Sequence, residues 1–236
     1  MEVTVNDSIA EIAPDAWNAL AGNAWPFLKH EFLLAAENSG SVSPDAGWAP
    51  RHLAIYDGTR LRAAMPLYQK DHSWGEFVFD WAWARAYEQA GFPYYPKLVS
   101  AIPFTPAPSR RLLLADPADK EGAIGLIRGA VALADKTDCS SLHLLFPAPD
   151  EIDLLREAGL HIRKDCQFHW HNRDYSDFDD FLGSFSSSKR KKARRDRRKV
   201  EEAGIRFRRL HGADLTAEVW EQVYQLISIT FMQRGS

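Results

Sequence analysis

Cysteine is scarce in this 236-residue chain. Cys139 and Cys166 are the only two, too few for a disulfide framework and without the paired spacing of a zinc site. That usage predicts a reducing, cytoplasmic setting. Long hydrophobic runs are missing as well: the stretch 142–146 is interrupted by His143 and falls far short of the roughly 20 apolar residues a membrane-spanning helix needs. The opening residues, MEVTVNDSIAEIAPDAW, carry acids where a secretory signal would carry a basic region and a continuous apolar core, so export is not expected. Low-complexity linkers and short fixed-period repeats are lacking, which excludes solenoids and collagen-like chains. What is present is ordinary for a globular protein, with 45% hydrophobic and 26% charged residues. A chain of this length buries roughly 70–75% of its unfolded surface on folding, enough for a sizeable core.

The formal net charge of −3 conceals a strong asymmetry. Residues 1–188 are net −10, whereas residues 189–199 hold nine Lys and Arg against one acid and are net +8. So steep a local bias requires its own account.

Along the chain, 1–12 predicts a first strand, and 14–21 and 30–39 predict helices. Two strand-like runs, 51–56 and 60–69, flank Asp57-Gly58, the dipeptide that most cheaply supplies the backbone of a tight hairpin. Residues 76–84 alternate and predict a third antiparallel strand, with Phe77, Phe79, Trp81 and Trp83 on one face and Val78, Asp80, Ala82 and Ala84 on the other. Five prolines between 93 and 108 bracket a short strand at 97–102 with stiff, extended loops. A helix at 118–137, a buried strand at 141–146, a helix at 149–158 and a strand at 161–171 complete a first unit near Asn172. The pattern then restarts with a long helix at 178–203, a strand at 205–210 and a helix from Thr216 to the end. Antiparallel hairpins followed by strand–helix alternation describe an α/β fold built on a mixed sheet with helices on both faces.

Four strings carry a resemblance: FVFDWAWARAYEQAG at 77–91, YYPKLVSAIPFTP at 94–106, SSLHLLFP at 140–147 and QFHWHNRDYSDFDDFLGSFSSSKRKKARRDRRKVEEAG at 167–204. Together they resemble a bacterial Fem-like family of peptidoglycan-biosynthesis proteins with the GNAT acyltransferase fold. The resemblance implies tandem GNAT-like units, 1–172 and the beginning of a second at 173–236. It also implies transfer of an acyl or aminoacyl group to an amine, such as that of a peptidoglycan precursor. The implied donor is acyl-CoA or aminoacyl-tRNA. The sequence departs from ordinary acetyltransferases at one point. Those cradle a pyrophosphate on the free N–H groups of a glycine-rich loop opening a helix, whereas here PFTPAPSRRLLL at 103–114 has no glycine and several prolines.

On the residues themselves, Asp80 on a face of small neighbours is the leading candidate general base; the competing account is a structural partner for a buried cation. Tyr94, Tyr95 and Lys97, on the proline-stiffened stretch, are candidate proton donors or oxyanion ligands. Trp81, Trp83, Ser100, Thr105 and Arg110 are the candidate substrate contacts, although both tryptophans also suit core packing. His169 and His171 share a strand face but lack further ligands, so no metal is expected. His143 reads as a satisfied core histidine, and Cys166 has only Lys164 nearby to activate it.

In the basic run, Lys189, Arg190, Lys191, Lys192, Arg194 and Arg195 form a candidate anion site. Like charges at i and i+4, such as Lys191 and Arg195, repel unless anions neutralise them. Candidate anions are tRNA, nucleotide-sugar phosphates or an acidic membrane surface. A non-enzymatic module that grips nucleic acid or phosphates through this helix is the rival to an enzyme. Val219, Val223, Leu226, Ile227, Thr230 and Phe231 make an apolar stripe on the last helix, which predicts self-association through 216–236.

Overall fold

A computed structural model describes residues 2–78 and 80–233, and the chain divides into two compact units, Met1–Asp165 and Cys166–Ser236. The first unit is built on the expected hairpin. Strand β3 (His52–Asp57) pairs antiparallel with β4 (Arg60–Met65), and Asp57 faces Arg60, so the two-residue turn is Gly58-Thr59. Gly58 takes φ +59°, a left-handed angle that only glycine adopts without strain.

The hairpin does not run on as one long ladder. Pro66 has no N–H to contribute, and the chain breaks between β4 and β5 (Tyr68–Lys70), as it does at Arg51 between β2 (Trp48–Pro50) and β3. A single rung, Arg51 N to Leu67 O at 2.8 Å, bridges the break. The expected strand 60–69 is therefore two strands in two sheets. One sheet has the order β1 (Thr4–Asn6), β3, β4 and β7 (Leu113–Leu114); the other has β2, β5, β6 (Lys97–Ser100) and β8 (Leu142–Leu144). Among the described residues every pairing between these strands is antiparallel except β6 with β8, which makes the unit mixed α/β, as expected.

Helices cover both faces of the first sheet. Helices α1 (Pro14–Ala21) and α2 (His30–Asn38), with the 3-10 turn Pro26–Leu28 between them, pack Trp17, Leu33 and Leu28 against Ala54, Ala64 and Leu113. On the far side, the helix at Lys120–Lys136 packs Leu126, Ile127 and Ala130 against Leu53, Ile55, Ala63 and Met65. Neighbouring strand residues serve opposite cores, as the two-residue period requires. Near 149–158 the expected helix is a turn of 3-10 helix followed by Ile152–Glu157.

Three expected strands do not form, each for a physical reason. Residues 76–84 are not a strand: Phe77 takes φ +57°, and Trp81–Gln89 forms helix α3, favoured by its three alanines with Arg85, Glu88 and Gln89. Phe79 of that expected strand lies outside the described residues, as do Met1 of the first strand and 234–236 of the last helix. Residues 161–171 are irregular and mostly exposed, so His169 and His171 share no strand face; their rings instead stack with centroids 6.4 Å apart. Residues 205–210 are likewise irregular, because no neighbouring strand among the described residues offers them a ladder.

After α3, chain order gives α4 (Lys120–Lys136) and α5 (Ile152–Glu157) in the first unit. The second unit consists of helices α6 (Phe178–Gly183), α7 (Ser187–Glu202) and α8 (Ala217–Gln233). The expected single helix 178–203 breaks at 184–186, where Ser184 ends α6 and Ser186, in extended geometry, opens α7. No helix among the described residues is long and apolar enough to cross a membrane.

Candidate active site

The parallel pairing of β6 with β8 aligns Leu98 with Leu142 and Val99 with His143. One face of the pair presents Leu98, Leu142 and Leu144 to the core beneath α4. Side chains alternate along each strand, so Lys97, Ser141 and His143 fall on the opposite face. Ser100 falls with Leu98: it is buried with an unpartnered hydroxyl and does not join Lys97.

Lys97 is fully buried, and its ammonium uses all three donors. Nζ lies 2.5 Å from Asp80 Oδ2, 2.8 Å from Glu76 Oε2 and 2.9 Å from Ser73 Oγ. Tyr94 donates to the same Asp80 Oδ2 at 2.6 Å, and Tyr95 OH shares a 2.8 Å bond with Ser73 Oγ. Ser140 Oγ donates to the Tyr94 carbonyl, fixing the loop to the start of β8. His143 Nε2 is 2.8 Å from Ser141 Oγ and 3.4 Å from Tyr94 OH. Four sequence candidates, Asp80, Tyr94, Tyr95 and Lys97, therefore meet in one cluster. Asp80 arrives from the residue preceding α3, not from a strand face.

Electrostatics reassign the roles. Burial pushes the Asp80 carboxyl up, but hydrogen bonds from Lys97, Ser73 and Tyr94 and the charge of Lys97 outweigh it and hold Asp80 below its ordinary range. The Asp80 carboxyl is therefore not raised in the way a general base would require, and it stays ionised against Lys97. Glu76 moves the other way, because burial exceeds the help it receives from Lys97. Tyr94 is pushed far up by burial and by the hydrogen bond to Asp80, so it keeps its proton. His143 is pushed down to about 4 by burial and by the charge of Lys97, so it is neutral near pH 7.

Beside the cluster lies an open groove of about 890 Å³, lined by Trp81, Ala84, Arg85, Glu88 and 91–95. Trp81 and Tyr94 contribute aromatic walls, and Trp81 meets Trp74 edge-on at 5.3 Å. Trp83 does not line the groove and is 55% exposed. The Thr105 hydroxyl donates to the nearby Pro103 carbonyl, and Arg110 is paired with Asp150 at 2.6 Å. Neither of these expected substrate contacts reaches the cluster.

Sequence reasoning did not single out Ser73, Glu76 or Ser141, and it read His143, whose Nε2 faces Ser141 and Tyr94, as a satisfied core histidine. The signal for the last two was available: in SLHL, serine and histidine alternate with leucines, so both leave the apolar face together.

The N-terminus of α4 is not open to an anion. It is capped by Asp119, which accepts from Gly122 N at 2.9 Å and is gripped by Arg62 through two 2.7 Å bonds. A carboxylate occupies the position where an anion would bind, so this helix end does not fit a coenzyme A pyrophosphate.

In the second unit, α7 displays its cations to solvent. Arg194 pairs with Asp179 at 2.9 Å, and Arg190 donates to the Phe185 carbonyl. Lys189, Lys191 and Lys192 have no ion pair among the described residues.

The chain matches the model of the FemAB-like family, described as peptidoglycan biosynthesis/recognition, over residues 8–236, and it belongs to that family. No curated protein matches it. Among solved structures it is similar to the aminoglycoside antibiotic 6'-N-acetyltransferase AAC(6')-IG from Acinetobacter haemolyticus, with 14% identity and a TM-score of 0.43, covering 74% of this chain and 100% of that one. It is also similar to AAC(6')-Ih from Acinetobacter baumannii, with 14% identity and a TM-score of 0.44, covering 72% of this chain and 97% of that one.

Proposed function

We propose that the protein is an N-acyltransferase that places an acyl or aminoacyl group on an amine of a peptidoglycan precursor. The observation that carries this reading is the groove: aromatic faces of Trp81, Phe92 and Tyr94 stand with the Glu88 carboxylate beside a rigid, buried ion cluster. An ammonium is attracted both to aromatic faces and to a carboxylate. Arg85 on the same rim suits a carboxylate or phosphate elsewhere on the acceptor. Asp80 accepts from Tyr94, Ser73 bonds Tyr95 and Lys97 ties Asp80 to Ser73, so the groove is preorganised rather than assembled by substrate.

For the donor, the exposed cations of α7 supply what a polyanion needs, which supports aminoacyl-tRNA. On this reading residues 173–236 are GNAT-like in origin, and a tRNA donor is one that the cytoplasm supplies. The same exposed cations support a second reading, a binding module without catalysis.

The test is transfer of labelled acetyl from acetyl-CoA, and of labelled amino acid from aminoacyl-tRNA, to a muramyl-pentapeptide precursor. The expected result is labelled amide that falls at least about tenfold in Glu88→Gln through loss of amine binding. Tight donor and precursor binding without amide formation would replace the transferase with the binding module.

A further inference from the structure

We propose that the groove beside the ion cluster holds an α-amino-acid head, an ammonium and a carboxylate carried on one carbon, with Glu88 taking the ammonium and Arg85 the carboxylate. The inference rests on the transferase reading above and narrows its acceptor: the reacting amine has a carboxylate on its own carbon.

Helical spacing puts the two charges side by side. In α3, Trp81, Ala84, Arg85 and Glu88 follow one another at intervals of one to three residues within a single arc of the helix, and all four line the groove together with Phe92 and Tyr94. Residues at i and i+3 stand roughly 5–6 Å apart at Cβ, close enough for Arg85 and Glu88 to neutralise each other. They do not: both are exposed, and neither has an ion pair among the described residues. Their order is the weaker one for a helix pair, since an acid is better placed N-terminal to its base.

The other polar groups at the groove are already committed. Tyr94 donates to Asp80 at 2.6 Å, and the Tyr95 hydroxyl is bonded to Ser73 at 2.8 Å. Lys97, fully buried behind them, spends its three donors on Asp80, Glu76 and Ser73. One guanidinium and one carboxylate therefore carry the charge that the groove lining offers a ligand, between aromatic walls.

That balance selects the ligand class. A phosphate attracted to Arg85 is repelled by Glu88 one turn away, and an isolated ammonium attracted to Glu88 is repelled by Arg85. A zwitterion satisfies both, because each of its ends meets the opposite charge. Its carboxylate takes charge-assisted bonds from the planar Arg85 fork, and its ammonium meets the Glu88 carboxylate beside the Trp81 ring.

The experiment measures dissociation constants for the full chain by ligand-observed NMR, with two probes that differ by one group. In Nα-acetyl-lysine the side-chain ammonium stands alone; in Nα-acetyl-diaminopimelate the distal ammonium has a carboxylate on the same carbon. The expected result is binding of the diaminopimelate probe about tenfold tighter than that of the lysine probe. Arg85→Gln should abolish this preference without weakening the lysine probe, whereas Glu88→Gln should weaken both. Both side chains are exposed, so neither replacement disturbs the core, and unchanged circular dichroism confirms it. Equal affinity for the two probes, a preference that survives Arg85→Gln, or inorganic phosphate competing as well as the diaminopimelate probe overturns the proposal. The transferase reading fails separately. Amide formed at equal rates on the amines of both probes removes the zwitterion site and leaves the transferase; the tenfold preference without amide from either donor leaves the site and removes the transferase.

Discussion

Lys97 and Asp80 meet at 2.5 Å with neither side chain open to solvent, and the pair joins β6 to the residue that opens α3. Glu76 shares the same ammonium at 2.8 Å, so two carboxylates depend on one buried cation. Removing that cation leaves two uncompensated acids, whereas removing one acid leaves the cation still paired. Lys97→Met should therefore cost about 3–5 kcal/mol, and Asp80→Asn clearly less. Urea unfolding of the two variants measures the difference, and equal losses would show that the cluster does not act as a unit.

Lys70 gives a pH dependence of definite sign. It is fully buried, with Nζ 3.7 Å from the Trp48 ring centroid, and its best oxygen contact is the Trp74 carbonyl at 3.3 Å. Burial pushes its ammonium down to about 7, with Lys97 adding to the effect and Glu76 opposing it. The folded state thus loses this proton near pH 7, while the unfolded chain keeps it to about 10.4. Between those values the unfolded state binds more protons, so Lys70 makes stability rise with pH, by at most about 1.4 kcal/mol per unit. Lys70→Met should flatten that rise and stabilise the protein most at neutral pH and below. Unfolding free energies at pH 6.5, 8 and 9.5 for both proteins check it; parallel curves would mean that Lys70 stays charged.

Much of this was legible from local sequence. Asp57-Gly58 located the hairpin, because a tight turn is decided by the residues in it. Tyr94, Tyr95 and Lys97 were found together because they sit on one stiff stretch. Residues 76–84 were not legible: alternating aromatics and alanines satisfy a strand pattern, while alanine content and the left-handed Phe77 decide for a loop and helix. The roles within the cluster were hidden for another reason. His143 comes beside Tyr94, 49 residues away, only through the pairing of β6 with β8, Ser73 and Glu76 reach Lys97 across 24 and 21 residues once β5 pairs with β6, and Asp80 is held as a carboxylate only with that cation beside it.

Helix α8 carries the apolar stripe expected from its spacing, and the unit to which it belongs leaves it bare: none of its residues is buried, and Leu226, Ile227 and Phe231 are all more than half exposed. Apolar area of this kind associates in water. Sedimentation velocity should show a concentration-dependent shift to larger species, reduced in Leu226→Ser/Phe231→Ser. A monomer at every concentration would show that the stripe is covered within one chain.

Among the nine cations at 189–199, ion pairing separates two groups. Arg194 is held by Asp179 at 2.9 Å, and Arg195 lies 3.6 Å from Asp196, so both are partly neutralised before any ligand arrives. Lys189, Lys191 and Lys192 carry uncompensated charge on the first turns of α7. If they contact phosphates, each releases bound counterions, and log affinity falls with log salt by about 0.7–0.9 per contact. Replacing the three lysines with alanine should flatten the slope for tRNA by about 2–3, while Arg194→Ala and Arg195→Ala change it less. Filter binding of tRNA from 50 to 300 mM KCl measures both. A slope unchanged by the triple replacement would make these lysines a solvated face and would return the donor question to acyl-CoA.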